Sequence, residues 1–257
     1  MANYIKNIIF LLFFFLSVCM MGQEPSFRIL SYNIRHGEGM DGRVDLERIA
    51  RFVSQESPYV AAIQELDSCT ERTARVDELG ELAHLTGMYP VYAPSICFQG
   101  GKYGVGMLCR EKPLSHYSIP IEDPSEPRVL LVVEFSNFVM ACTHLPLHEQ
   151  DRLNAIPVLC AEAEKAGKPF LLAGDWNDIP TSPFIEGMTE KFEFCSDTSV
   201  PTFPSGKPKG CIDYIAVYRS GSKDVCVTER TFYHHTPFSD HLPISVAIRL
   251  SGNASSR

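Results

Sequence analysis

The sequence predicts an α/β fold in one domain, with α+β character in its middle, and three observations carry that expectation. Short apolar runs bounded by Gly, Pro, Asn or Asp recur along the chain, as buried strands do. Stretches with apolar residues at helical spacing fall between such runs near both ends of the order, whereas the middle is strand-rich. No linker, low-complexity block or internal repeat divides the 257 residues, a length that can bury a substantial core. Residues 1–22 read as a targeting segment and 23–257 as the domain.

Lys6 gives that first segment a positive start, and Ile8 to Met21 is apolar apart from Ser17. This is the pattern of a signal-peptide core and is short for a membrane span; a short N-terminal anchor is the alternative. Leu16-Ser17-Val18-Cys19 resembles a lipoprotein cleavage box, which would leave a lipid anchor on Cys19. Cleavage near Gly22-Gln23 would instead release a soluble protein. Both routes predict export.

Phe27 to Ile34 reads as a strand ending in polar Asn33. Val44 to Gln55 follows as a helix, with Asp45 as its cap and Leu46, Ile49, Ala50 and Val53 on one face. Tyr59 to Ile63 is an apolar strand running into Gln64-Glu65, and Asp77 to Thr86 is a helix closed by Gly87. Strands are expected at Tyr89–Pro94, Tyr103–Arg110, Leu114–Pro120, Val129–Phe135 and Phe138–Thr143. His148 to Lys165 has helical spacing, and Pro157 should kink it or mark a late start. Phe170 to Ala173 is a buried strand that stops at Gly174, and Ser182 to Gly187 is a short helix. A Pro/Gly/Lys loop at Thr202–Gly210 precedes strands at Cys211–Tyr218, Val225–Tyr233 and Leu242–Leu250.

A formal net charge of −8 is a poor footprint for nonspecific binding to a nucleic-acid backbone. Nine cysteines include no Cys-x-x-Cys pair, so neither a zinc knuckle nor a thioredoxin-like site is indicated.

The chemistry-bearing residues sit where the apolar runs end: Asn33, Glu65, His144, Asp175 with Asn177, and Asp240 with His241. Asp213 lies inside a further run, directly after Ile212. Open α/β sheets place ligands at strand ends. Carboxylates and amides grouped there suit a hard cation or a held water, and a carboxylate beside an imidazole fixes its tautomer and raises its basicity. Taken singly, Asn33 could end a strand in a turn, Glu65 could be a surface carboxylate, and the Gly174–Asp178 stretch could be an Asx-rich turn. An ionisable group inside an apolar strand, however, is costly unless something pairs with it.

Ser31-Tyr-Asn-Ile34, Gln64-Glu65-Leu66, Tyr103-Gly-Val-Gly106, Thr143-His144-Leu145, Gly174-Asp-Trp-Asn177, Ile212-Asp213-Tyr214 and Ser239-Asp-His241 resemble, in the same order, the motifs of the endonuclease/exonuclease/phosphatase superfamily. The resemblance spans nearly all of the chain after the targeting segment. It implies a four-layered α/β sandwich, with two mostly antiparallel sheets flanked by helices, and Mg²⁺- or Mn²⁺-dependent hydrolysis of a phosphoester. It also implies roles. Glu65 would be the principal metal ligand, with Asn33 and Asp240 beside it. Asp175 and Asn177 would position or activate the attacking water. His241, oriented by Asp213, would contact the phosphoryl oxygen or act as base, and His144 would face the phosphate. Arg35, His36, Arg72 and Arg75, which follow metal-site motifs, together with Tyr103, Lys207 and Lys209, are second-rank substrate contacts. The expected substrate is a small-molecule or lipid-headgroup phosphoester, handled by a monomer. The alternatives are an extracellular nuclease and a catalytically silent binding domain on the same fold.

Overall fold

The computed structural model describes residues 26–251, so the segment read as a signal peptide, with Cys19, lies outside the described residues. Among the described residues twelve strands form two six-stranded sheets. The first contains β1 (Phe27–Asn33), β2 (Val60–Ser68), β3 (Tyr89–Phe98), β4 (Gly101–Cys109), β11 (Val225–Phe232) and β12 (Ile244–Leu250), in the order β11-β12-β1-β2-β4-β3. The second contains β5 (Ser115–Ile121), β6 (Arg128–Glu134), β7 (Val139–His144), β8 (Phe170–Asp175), β9 (Phe192–Phe194) and β10 (Asp213–Tyr218), in the order β5-β6-β7-β8-β10-β9. Among these strands β1–β2 and β7–β8 pair in parallel and the other pairings are antiparallel.

Each sheet follows one plan. A parallel pair is joined through a helix, α1 (Leu46–Glu56) in the first sheet and α3 (Glu149–Lys165) in the second. An antiparallel hairpin extends the pair on one side, β4 then β3 or β10 then β9. Two antiparallel strands extend it on the other, β12 then β11 or β6 then β5. The repetition is topological, which is why the sequence shows no internal repeat.

Strand alternation builds the layers. Ile29, Val60, Ala62, Val105, Met107, Leu131, Val133, Met140, Leu171, Ala173 and Ile215 point between the sheets and form one apolar slab. Leu30, Tyr32, Ala61 and Ile63 point the other way, onto α1 and α2 (Glu78–Thr86). Ala141, Phe170, Leu172 and Ala216 do the same toward α3 and α4 (Pro183–Lys191). The result is helix, sheet, sheet, helix, and each large apolar side chain buried in it contributes about 1.5–3 kcal/mol.

The helices start where their caps allow. The Asp45 carboxylate accepts Arg48 N–H at 3.0 Å, and the Ser182 hydroxyl accepts Ile185 N–H at 3.2 Å ahead of Pro183 at the first helical position. Gly87 closes α2 in the left-handed conformation. α3 departs from expectation: it begins at Glu149 and runs through Pro157, leaving the Leu153 carbonyl without its usual donor. β3 and α4 run on beyond the expected Pro94 and Gly187, and short β9 lacks a sequence signal of its own. Among the described residues all eight cysteines are free thiols.

Candidate active site

The same alternation that builds the inter-sheet slab places the polar set at its end. Asn33 continues the inner row of Ile29 and Ser31; His144 continues that of Met140 and Cys142. Asp175 continues the row of Leu171 and Ala173, and Asp213 begins the row of Ile215 and Val217. Parallel pairing puts the C-terminal ends of β1 and β2 side by side, and likewise those of β7 and β8, and the Asn33–Asp175 hydrogen bond joins the two pairs across the sheets. β10 joins them in antiparallel register, Asp213 opposite Asp175. Glu65 arrives by a different device. Gln64 and Glu65 form a bulge between Ile63 and Leu66, and Glu65 takes a left-handed φ of 59° that redirects its side chain.

Asp175 is the hub. Its Oδ2 receives Asn33 Nδ2 at 3.0 Å and lies 3.4 Å from His144 Nε2 and 3.5 Å from His241 Nε2. Its Oδ1 accepts Asn177 N–H at 2.9 Å, while Asn177 donates from its amide to Leu145 O at 2.8 Å. Asn33 Nδ2 also donates to Glu65 Oε1 at 3.0 Å. The donor Arg35 N–H, 3.0 Å from Asn33 Oδ1, fixes which way that carboxamide points. His241 Nδ1 faces both oxygens of Asp213, at 3.0 and 3.2 Å. Ser239 Oγ ties the His241 segment to β1 by donating to Asn33 O at 2.7 Å.

One ligand atom each of Asp175, Asp213 and His241 lie within 4.8 Å of one another. His241 Nδ1 faces Asp213, while Nε2 lies 3.4 Å from Asn33 Nδ2 and 3.5 Å from Asp175 Oδ2, so the trio runs as an acid–imidazole–acid chain. Burial alone would lower the His241 pKa, but the charges of Asp213 and Asp175 override it and hold the ring cationic. His144 goes the other way: burial, then the charges of Arg128 and His241, press its pKa well below the ordinary range and leave it neutral. Burial raises the Asp175 carboxyl against the pull of His241. Burial also raises Glu65, opposed by the Asn33 hydrogen bond and the His241 charge, while the Asp240 carboxylate adds to the rise.

Two side chains that the sequence did not single out complete the site. Buried Arg128 sets Nη1 3.1 Å from His144 Nδ1 and 3.0 Å from Glu126 Oε1. Its only sequence signal is a charge at the threshold of an apolar run. Asp67, fully buried, grips Arg72 through two bonds of 2.6 and 2.8 Å. Arg72 in turn lies over Phe98 and Tyr103, 4.8 and 5.6 Å from their ring centroids.

The remaining second-rank residues divide. Arg35 lies 3.7 Å from Asp240 and 3.3 Å from Glu38, at the edge of the site. His36 pairs with Glu38 at 3.6 Å, and burial lowers its pKa. Arg75 is engaged with Glu71 at 2.8 Å and with the Gln99 carbonyl, away from the hub. Lys207 and Lys209 are exposed in a loop that Ser205 pins to Ser239 and Asp240, where the Phe203 ring sits 4.7 Å from that of His241. Trp176, between two site residues, turns to the opposite face and is fully buried against Tyr214, Phe194 and Phe184.

Residues 30–241 match the Endonuclease/Exonuclease/phosphatase family. The uncharacterized protein YbhP of Escherichia coli is 26% identical over 253 residues, covering 89% of this chain and 98% of YbhP. The crystal structure of an endonuclease/exonuclease/phosphatase from Bacteroides vulgatus superposes with a TM-score of 0.73 at 16% identity, over 88% of this chain and 100% of that one. Another, from Beutenbergia cavernae, gives a TM-score of 0.70 at 20% identity, over 90% and 74%.

Proposed function

This chain belongs to the endonuclease/exonuclease/phosphatase family, and on that premise we propose that it is an exported hydrolase that cleaves a phosphoester with the help of Mg²⁺ or Mn²⁺. The observation that carries the reading is the convergence of Asn33, Glu65, His144, Asp175, Asp213 and His241 in one cluster of hydrogen bonds and close charged contacts at the strand ends.

The donor set fits a hard cation. Glu65 and Asp240 offer carboxylate oxygens, and Asn33 Oδ1 has a second lone pair beyond the one Arg35 N–H uses. Burial disfavours ionised Glu65, and a cation is the partner that would offset that penalty. When bound, such an ion neutralises charge on the phosphoryl and leaving oxygens. The rest is done by the chain. His241, kept cationic by Asp213, and His144, neutral with a proton on Nε2, donate to phosphoryl oxygens. Asp175 and Asn177 orient a water, and Asp175 takes its proton as the oxygen adds to phosphorus. The bond to the alcohol oxygen breaks, and the alcohol takes a proton from solvent.

Export rests on the apolar segment Ile8–Met21. The acidic balance of the chain, −8, favours a small-molecule or lipid-headgroup ester over nucleic acid.

Hydrolysis of a bis-aryl and a mono-aryl phosphate with Mg²⁺, with Mn²⁺ and with chelator tests the reading. Chelator should abolish turnover, and His241→Ala should lower kcat by about 10²–10⁴-fold, the usual worth of a positioned acid–base group. Activity that survives chelator, or a His241→Ala protein at the parental rate, sinks the proposal. The diester-to-monoester ratio chooses between phosphodiesterase and phosphatase.

A further inference from the structure

Beside Glu65 lies a cleft of about 130 Å³ lined by Glu65, Arg72, Ile96, Phe98, Tyr103 and Glu126. Ordinary ligand pockets run to about 300–1,000 Å³, so this one holds a single ring-sized group and not a whole nucleoside. It opens directly on the proposed reaction centre, because Glu65 belongs to both.

Two of the three charged side chains on its wall are already paired, and the third, Glu65, is the carboxylate assigned above to the cation. Arg72 spends Nε and Nη2 on buried Asp67 at 2.6 and 2.8 Å, and Glu126 meets Arg128 at 3.0 Å. Arg72, held by Asp67, therefore brings no spare cation for a second phosphate, and the Glu126 carboxylate would repel one. What remains is hydrogen-bonding capacity without net charge: the Arg72 Nη1 donors and the Glu126 Oε2 acceptor. The rest of the lining is apolar: Ile96 and the rings of Phe98 and Tyr103. The guanidinium already covers a face of Phe98 and of Tyr103, at 4.8 and 5.6 Å, so those faces are taken and not offered to a planar base. A ring with one C–H face and a rim of hydroxyls matches this division, its hydroxyls answering donor and acceptor while its C–H face covers the aromatic edges.

Building on the hydrolase reading, we infer that this cleft holds the alcohol side of the ester, and that the alcohol is a neutral polyhydroxylated ring, a sugar or cyclitol, without a second phosphate. Arg72, Phe98, Tyr103 and Glu126 are then specificity residues. The ring has two sources, a soluble phosphate ester or the headgroup of a membrane lipid.

The test compares kcat/KM of the full exported chain, with Mg²⁺, for hexose 6-phosphate, inositol 1-phosphate, hexose 1,6-bisphosphate, a nucleoside monophosphate and methyl phosphate. Ring monophosphates should exceed methyl phosphate by about tenfold or more, the discrimination that filled apolar and polar contacts supply. Phe98→Ala should shrink that ratio. Ile96→Lys, which adds an unpaired cation to a half-exposed wall position, should narrow the gap between hexose monophosphate and bisphosphate. The parent preferring the bisphosphate or the nucleotide overturns the inference, as does a Phe98→Ala ratio equal to the parental one. Phosphatidylinositol vesicles beside soluble inositol 1-phosphate assign the source, and turnover of either supports the ring. If no phosphoester is hydrolysed at all, the hydrolase reading falls, and the cleft is read separately by saturation-transfer NMR with methyl hexoside and inositol. Signals present in the parent and lost in Phe98→Ala uphold it; none in the parent overturn it.

Discussion

A guanidinium has only N–H groups, so the 3.1 Å approach of Arg128 makes His144 Nδ1 an acceptor and puts the ring proton on Nε2. That nitrogen is the one facing Asp175. Arg128 thus acts as a positioning residue: it selects a tautomer, and it also keeps a neighbouring positive charge that disfavours protonation of the ring. In Arg128→Met both tautomers become accessible. Ring ¹⁵N spectra at neutral pH should then change from a single Nε2–H pattern to a mixture. Turnover should fall about 10–100-fold, the scale on which lost outer partners of functional histidines are felt. An unchanged ¹⁵N pattern at the parental rate would rule the role out.

Gly174 shows how closely the elements must fit. It faces Thr143 across the parallel β7–β8 pair, one residue before the His144 and Asp175 pair. Its φ is 152°, and a Cβ there would stand 1.9 Å from the Thr143 carbonyl oxygen. Gly174→Ala must therefore push the strand ends apart, at about 1–3 kcal/mol for an overpacked interior. The expected outcome is a lower urea midpoint with a larger loss of kcat than of substrate affinity; a variant unchanged in both would mean that the strands yield freely. Much of this level was legible in the sequence. Apolar runs that stop at Asn33, His144 and Asp175 announce both the strand and its polar end, since burial and termination are local signals. The Glu65 bulge was not legible, because it exists only as a register mismatch with β4. Arg128 and Phe98 escaped for a similar reason: what makes each matter is a partner on another segment, His144 for one and Arg72 for the other. The twofold plan of the sheets lies in connectivity, which residue patterns do not encode.

For the whole molecule the buried carboxyl of Glu78 sets a pH trend. It is fully buried, accepts Asp67 N–H at 2.7 Å, and burial raises its pKa from 4.5 to about 8. A carboxyl whose folded pKa exceeds its unfolded one favours folding in its protonated form. Nothing is lost below pH 4.5, stability drains away as pH climbs from there to about 8, and the penalty is constant above. Glu78→Gln removes that titration. The stability of the parent minus that of the variant, from urea unfolding at pH 5 and pH 8.5, should fall by about 2–4 kcal/mol over the interval, taking 1.36 kcal/mol per pKa unit as the upper scale. A flat difference would mean that Glu78 stays ionised throughout. The site draws on both sheets, so catalysis and the global fold should fail together. The chain also carries its own optical gauge of that event, because it has a single tryptophan. Trp176 is sealed from water one peptide bond from Asp175 and one from Asn177, with Tyr214 close enough, 4.9 Å between ring centres, to pass excitation to it. Its emission is the colour of one place in the molecule, and an ion or ester entering beside it announces itself without a dye.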